Sequence, residues 1–173
     1  MKQKLYSNGQ VLSIVILRIL TGWHLLYEGM IKVFDPGWTA APFLNNAQGT
    51  FAALFKNIAS SPLLLEIADQ LNQWGLALVG LSLILGFLSR PASIGGMALL
   101  FFYYVAYPPF IGVEQGMAEG NYMIVNKNLI ELFVFLLFFM FPTDRIIGLE
   151  RLFYRSKNQT FTHNVKNVAA GNR

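Results

Sequence analysis

The sequence predicts an all-α integral membrane protein, built as a bundle of four helices with both termini in the cytoplasm. Apolar residues make up 54% of the 173 positions, and charged residues make up only 13%. A soluble domain has about twice that share of charged residues, and the apolar residues here are collected into long stretches that suit membrane spans. Cysteine is absent, which excludes disulfides, thiol relays and cysteine-ligated metal or iron–sulfur sites.

The predicted spans cover residues 11–34, 62–88, 92–107 and 122–141. The first contains charged residues and is too long for the apolar part of a signal peptide, so we interpret it as an uncleaved span. The second begins at Ser61-Pro62, where Ser61 suits an N-cap and Pro62 the first helical position. The third and fourth each end at proline. The pattern predicts one membrane domain over residues 1–155 and a polar cytoplasmic tail over residues 156–173.

Basic residues orient these spans. With four spans, one side of the membrane receives Lys2, Lys4, Arg90, Arg145, Arg151, Arg155, Lys157, Lys166 and Arg173. By the positive-inside rule this side is the cytoplasm, which predicts a multi-pass protein of a bacterial-type inner (plasma) membrane.

The two outer connections are longer than the inner one. The first contains apolar residues at i, i+3, i+4 and i+7 between Thr50 and Ala59, which predicts a short amphipathic helix at the outer surface. The second, residues 108–121, is predicted as an irregular lid. The inner turn, Ser89-Arg90-Pro91, is minimal. Because elaborate loops tend to carry function, we expect the active face outside the cytoplasm.

Polar side chains form a stripe on the first and fourth spans. At about 100° per residue, one face of the first span, about 120° wide, holds Arg18, Thr21, His24, Glu28 and Lys32. On the fourth span Lys127 and Glu131 are an i, i+4 pair, and Asn126 and Asn128 flank them. Because the two spans are antiparallel, matching depths predict that Glu28 pairs with Lys127, and His24 or Arg18 with Glu131. We expect one buried polar network, open toward the outer face.

Other roles for these residues stay open at this point. A polar stripe can serve only to fix helix register, and His24 can be a satisfied core histidine rather than a proton carrier. Tyr103 can belong to an aromatic belt or line a pocket. The spans contain one histidine and the chain no nucleotide motif, which excludes bis-histidine haem and disfavours a metal site. An amphipathic pocket beside lipid suits a quinone or a small anion.

Three segments of the chain resemble the DoxX/DoxD family of four-span membrane proteins. They are Arg18-Ile-Leu-Thr-Gly-Trp-His-Leu-Leu-Tyr-Glu-Gly-Met-Ile-Lys32, the hairpin over residues 80–95, and Asn126-Lys-Asn-Leu-Ile-Glu131. The resemblance extends over most of residues 12–152. It implies a four-helix membrane bundle and a link to oxidoreductases that pass electrons to the quinone pool. The activity named for the family is thiosulfate:quinone oxidoreductase, in which a large and a small subunit work together.

From the network and the resemblance we expect a membrane subunit of a quinone-linked oxidoreductase. Glu28, Glu131 and His24 are the predicted catalytic residues, which contact the head group and relay protons. The predicted quinone- or substrate-binding residues are Arg18, Lys32, Lys127, Asn128 and Tyr103. We expect lipid to surround the chain and a partner oxidoreductase subunit to supply electrons. The sequence does not decide whether the chain forms a homo-oligomer. No haem, metal, nucleotide or nucleic acid is expected.

Two alternatives belong to other classes of protein. One is a small proton-coupled membrane carrier, which a glutamate in the first of four spans also suits. The other is a non-catalytic membrane anchor or assembly factor, in which the polar stripe would have no chemical role.

Overall fold

The computed structural model describes residues 7–109 and 123–152. The regular elements in this part of the chain are helices. The elements are α1 (Asn8–Phe34), α2 (Ala41–Asn45), α3 (Ala52–Ser60), α4 (Pro62–Gln70), a π segment (Leu71–Gly75), α5 (Leu76–Leu85), α6 (Ser89–Ala106) and α7 (Lys127–Met140). The all-α prediction is therefore confirmed. Among the described helices, α1 is the one that is long and apolar enough by itself to cross a membrane.

Helix α1 corresponds to the predicted first span. Its start is fixed by a capping box, in which the Ser7 hydroxyl accepts a hydrogen bond from the Gln10 backbone N–H and the Gln10 side chain accepts one from the Ser7 N–H. The helix ends before Asp35-Pro36. Its 27 residues extend about 40 Å, since each adds about 1.5 Å.

The predicted second span is helical but not uniform. Pro62 opens α4 as predicted, and Ser61 occupies the N-cap position, although its side chain makes no capping hydrogen bond. The π segment then interrupts the α-helical pattern before α5. Helix α5 ends three residues earlier than predicted, at Leu85, because Gly86 adopts a left-handed conformation with φ of 60°. Phe87 N–H then donates to Ser82 C=O at 3.1 Å, which closes a Schellman motif.

Helices α6 and α7 differ from the predicted bounds at their starts. Ser89-Arg90-Pro91 is the first turn of α6 rather than the connecting turn, which proline tolerates because its missing N–H has no partner there. Helix α7 starts at Lys127, since the Asn126 side chain accepts a hydrogen bond from Leu129 N–H. The rest of the predicted lid, residues 110–121, the predicted start at residue 122 and the tail lie outside the described residues.

Glycines bring the helices together in two antiparallel pairs. A Cβ on Gly29 of α1 would lie 2.5 Å from the Ala77 backbone nitrogen of α5, and one on Gly22 would lie 2.8 Å from the Gly80 carbonyl. In the second pair, a Cβ on Gly96 of α6 would lie 2.7 Å from ring carbons of Phe135 in α7. Helices α1 and α7, by contrast, make few contacts. A space is therefore left between α1 and α7.

The connection after α1 folds back over one end of the bundle, which we call the outer end. The predicted amphipathic helix is present as α3. Phe55 of α3 is buried with Leu44 and Ala106, and Ile58 packs beside them, whereas Phe51 and Leu54 are exposed. The opposite, inner end contains the start of α1, the Gly86 turn and residues 143–152.

Candidate functional site

A cavity of about 670 Å³ occupies the space between α1 and α7 at the outer end. Its polar and aromatic lining consists of His24, Glu28, Lys32, Asp35, Trp38, Thr39, Phe43, Asn72, Tyr103, Lys127, Asn128 and Glu131. The structure thus gathers all of the predicted site residues except Arg18 into one cavity. Asp35 and Lys127 are exposed at its rim, so a solute can reach it from the outer end.

His24 and Glu131 meet across the cavity. The His24 Nε2 and Glu131 Oε1 atoms are 3.6 Å apart, and the side chains are 36% and 20% exposed. The pairing of these two residues, predicted from their matching depth in antiparallel helices, is confirmed. The contact is an ion pair when both ring nitrogens of His24 carry a proton.

The predicted pairing of Glu28 with Lys127 is wrong. Glu28 instead pairs with Lys32, one turn further along α1, with 3.9 Å between Oε2 and Nζ. The physical reason is that α1 and α7 hardly touch. Glu28 and Lys127 both line the cavity, but they do so from helices held apart by it.

Lys32 is enclosed by aromatic rings, which the sequence did not reveal. Its ammonium lies 5.4 Å from the centroid of the Trp38 ring and 5.9 Å from that of Tyr103, both within cation–π range. The Lys32 side chain is only 17% exposed. The Asp-Pro-Gly-Trp turn after α1 brings the Trp38 ring back over the lysine.

The π segment contributes Asn72, which sequence analysis missed. The Tyr103 hydroxyl donates a hydrogen bond to Asn72 Oδ1, and Asn72 Nδ2 donates to the Ala68 carbonyl at 2.9 Å. Both Asn72 and Tyr103 line the cavity. The available signal was the polar run Asp69-Gln70-Leu71-Asn72-Gln73 inside the predicted second span. π-helical turns within α-helices are rare, and they often occur at functional sites.

Arg18 does not belong to this cavity, and of the two partners predicted for Glu131 the structure has His24 and not Arg18. It is 2% exposed. Its guanidinium donates to Thr143 Oγ1 at 2.9 Å and to the Ile147 carbonyl at 2.8 Å. Arg18 lies almost two turns nearer the inner end than His24, and about 120° away around the helix. That rotation directs it toward the segment that follows α7.

Residues 143–152 form a joint at the inner end around Arg18. The backbone N–H groups of Leu149 and Glu150 donate to the carbonyls of Leu85 and Gly86, at 3.0 and 3.1 Å. Asp144 is buried at 2% exposure and attracts Arg18 electrostatically. A side-chain hydrogen bond with Asp144, together with burial, raises the pKa of the Glu150 carboxyl above its usual range. This joint connects α1, the end of α5 and the segment after α7.

The cavity offers hydrogen-bond donors and proton-exchanging groups side by side. Lys32, Lys127 and Asn128 can donate to carbonyl oxygens of a ligand, and His24 with Glu131 can accept and release protons. Within residues 7–109 and 123–152, no three histidine or acidic side chains are grouped so that they could hold a metal ion. No protein-family model, curated protein or solved structure matches the chain.

Proposed function

We propose that this protein is a DoxX-like, multi-pass membrane subunit of a quinone-linked oxidoreductase, and that the polar cavity binds the quinone head group. The observation that carries the proposal is the cavity itself. Its volume of about 670 Å³ is that of a small-molecule site, and it combines carbonyl-binding donors with the His24–Glu131 pair. The four-span topology in the inner membrane is part of the same proposal.

Exposed apolar side chains support a membrane setting. On α1 they repeat every three to four residues, at Leu12, Ile16, Leu20, Trp23, Tyr27 and Ile31. Similar exposed residues, such as Leu78 of α5, Phe101 of α6 and Phe133 of α7, lie on the other long helices. Such a continuous apolar exterior is unfavourable in water and favourable in lipid, where backbone hydrogen bonds are satisfied within helices.

A quinone that binds here takes up two electrons and two protons as it becomes a quinol, and a partner subunit of the oxidoreductase class supplies the electrons. Lys32 and Asn128 bind and orient the carbonyl oxygens by donating hydrogen bonds. His24, whose Nε2 lies 3.6 Å from Glu131 Oε1, is the proposed donor of a proton to the bound oxygen. Glu28 and Asp35, nearer the rim, connect this pair to water. The joint around Arg18 closes the inner end, which favours exchange from the outer side.

The test is mass spectrometry of the protein purified gently from its native membrane, compared with the Glu131→Gln variant. We expect bound quinone and a co-purifying oxidoreductase subunit in the wild type. Glu131→Gln removes the carboxylate that faces His24 across the cavity. We expect a cost of about 1.5–3 kcal/mol, the value for a contact to a charged group, which weakens quinone binding by roughly 10- to 100-fold, so the variant should lose the quinone.

Glu66→Gln is the matched control, since Glu66 is an exposed residue of α4 outside the cavity lining. It should retain quinone and quinone-reducing turnover, whereas Glu131→Gln should lose both while its helix content is unchanged. Equal retention in the two variants, or a folded wild type free of quinone, would refute the assignment. Uptake driven by a pH gradient in liposomes, without quinone reduction, would replace it with a carrier.

A further inference from the structure

A second cavity, about 250 Å³ in volume, adjoins the polar one. It is a groove between α3, α4 and α6, and most of its lining is aliphatic or aromatic, including Ile58, Leu64, Ile67 and Leu99. Phe43, Asn72 and Tyr103 line both cavities. The polar cavity and the apolar groove are therefore separated by a single layer of side chains.

This shared wall is built from one hydrogen bond and one ring contact. The Tyr103 hydroxyl donates to Asn72 Oδ1, and the Phe43 ring packs edge-on against the Tyr103 ring with 5.6 Å between centroids. Asn72 lies in the π segment, where the helix is locally widened. The contact that divides the two cavities is thus made by side chains that can change rotamer without unfolding a helix.

The groove is open on the outside of the bundle. Leu64, Ile67 and Phe102 form its rim and are 45%, 48% and 52% exposed. In a membrane-embedded chain this rim faces hydrocarbon. Apart from Asn72 and Tyr103 of the wall, the described lining of the groove is apolar. A groove of this kind accepts a hydrocarbon chain and offers nothing to a small anion.

We infer that the polar cavity and the groove are two halves of one site for an amphiphile with a polar ring and a hydrocarbon tail. The ring lies in the polar cavity, and the tail passes the Tyr103–Asn72 contact and lies in the groove. This inference rests on the proposed function and deepens it, because it adds the tail site and the lateral route by which a membrane-dissolved quinone enters. The argument depends on the three side chains, Phe43, Asn72 and Tyr103, that line both cavities and form the single layer between them.

The experiment uses the purified chain in lipid nanodiscs and a benzoquinone with a photoreactive diazirine at the end of a ten-carbon tail. After irradiation, labelled residues are mapped by peptide mass spectrometry. We expect adducts on α4 and α6 at the groove rim. Excess unlabelled quinone of the same tail length should reduce them by about tenfold, because both compete for one site, whereas adducts on lipid-facing residues such as Leu20 should be unchanged.

Ile67→Trp fills the groove from its exposed rim and should abolish the competable adducts. Leu64→Trp is a second filling variant of the same kind. Leu63→Trp is the matched control, because Leu63 lies on the same helix, is 67% exposed and is outside the groove lining. We expect the control to label as the wild type does.

Binding of the ring is measured separately with a tail-less benzoquinone, by quenching of the Trp38 fluorescence against a Trp38→Phe control. Normal quenching together with adducts that no competitor reduces would overturn the tail site alone and leave the proposed function in place. Absence of quenching in folded protein would overturn the proposed function and the tail site together. Normal Trp38 quenching in Ile67→Trp, taken as the difference from the Ile67→Trp/Trp38→Phe double variant, together with loss of the competable adducts, supports the bipartite site.

Discussion

Replacement of Gly80 by alanine should destabilise the protein by forcing α1 and α5 apart. A Cβ at this position would lie 2.5 Å from the Gly22 carbonyl oxygen and 2.8 Å from Leu26 Cα. Ordinary contact distance is about 3.5 Å, so the two helices must separate by about 1 Å. Both neighbouring atoms belong to the backbone, and no side-chain rotation can relieve the overlap.

The cost of this separation is set by overpacking in a rigid interface. Insertion of one carbon atom into a close-packed contact costs typically about 1–3 kcal/mol, and a contact between two backbones belongs at the upper end. We therefore expect a loss of about 3 kcal/mol in the free energy of unfolding. For a chain of this size that corresponds to a fall of roughly 6–12 °C in Tm.

The assay is thermal unfolding in detergent, followed by the helical circular dichroism signal. Gly95→Ala is the matched control, because a Cβ at Gly95 meets Val79 Cγ2 at an ordinary 3.6 Å. Both variants share the gain in helix propensity, so the difference between them isolates the packing term. A Tm for Gly80→Ala within about 2 °C of that for Gly95→Ala would refute the close α1–α5 contact, since about 3 kcal/mol cannot produce so small a shift.

Three further predictions concern the inner joint and the cavity wall. Arg18→Met should lower stability by on the order of 3–5 kcal/mol because it leaves Asp144 buried without its cation; unfolding of a double variant with Asp144→Asn should show partial recovery, and equal losses in both backgrounds would contradict the coupling. Glu150→Gln should raise Tm near pH 7 and leave it unchanged near pH 4, because a carboxyl with a raised pKa contributes more to stability when it is protonated than when it is ionised; parallel Tm–pH curves for the variant and the wild type would exclude this. Tyr103→Phe removes the hydroxyl that donates into the wall and should cost about 1 kcal/mol in unfolding experiments, whereas Tyr27→Phe, at an exposed position, should be neutral; equal effects would argue against the wall contact.

Helical periodicity was sufficient to predict the elements that depend on local sequence. Helix α1 and the short α3 were predicted close to their observed bounds because their apolar spacing and flanking turn residues act within a few positions. The π segment was not predicted, since an i→i+5 turn leaves no composition signal of its own. The end of α5 was placed too late, although Gly86 after an apolar run is a known helix terminator.

Contacts in the site could be predicted where two quantities decide them, the position of a side chain around its helix and its depth along the bundle. These two quantities placed His24 opposite Glu131, and the pair is present. They failed for Glu28 and Lys127 because they carry no information on how far apart two helices lie. They failed for Arg18 because its partners follow α7 in a non-helical segment, where no period applies. Asn72 was missed because it shares no element with the polar stripe.

The position of the cavity follows from where the small residues lie. Glycines on α1 and α5, and Gly96 facing Phe135, draw the helices into two tight pairs. The stripe on α1 that carries His24, Glu28 and Lys32 has no such partner on α7. Long polar side chains on both helices then border a space that neither helix can close. Ionisable side chains such as these are costly against lipid. Here they border a cavity that is open to solvent at the outer end, and this access to water allows them to exchange protons.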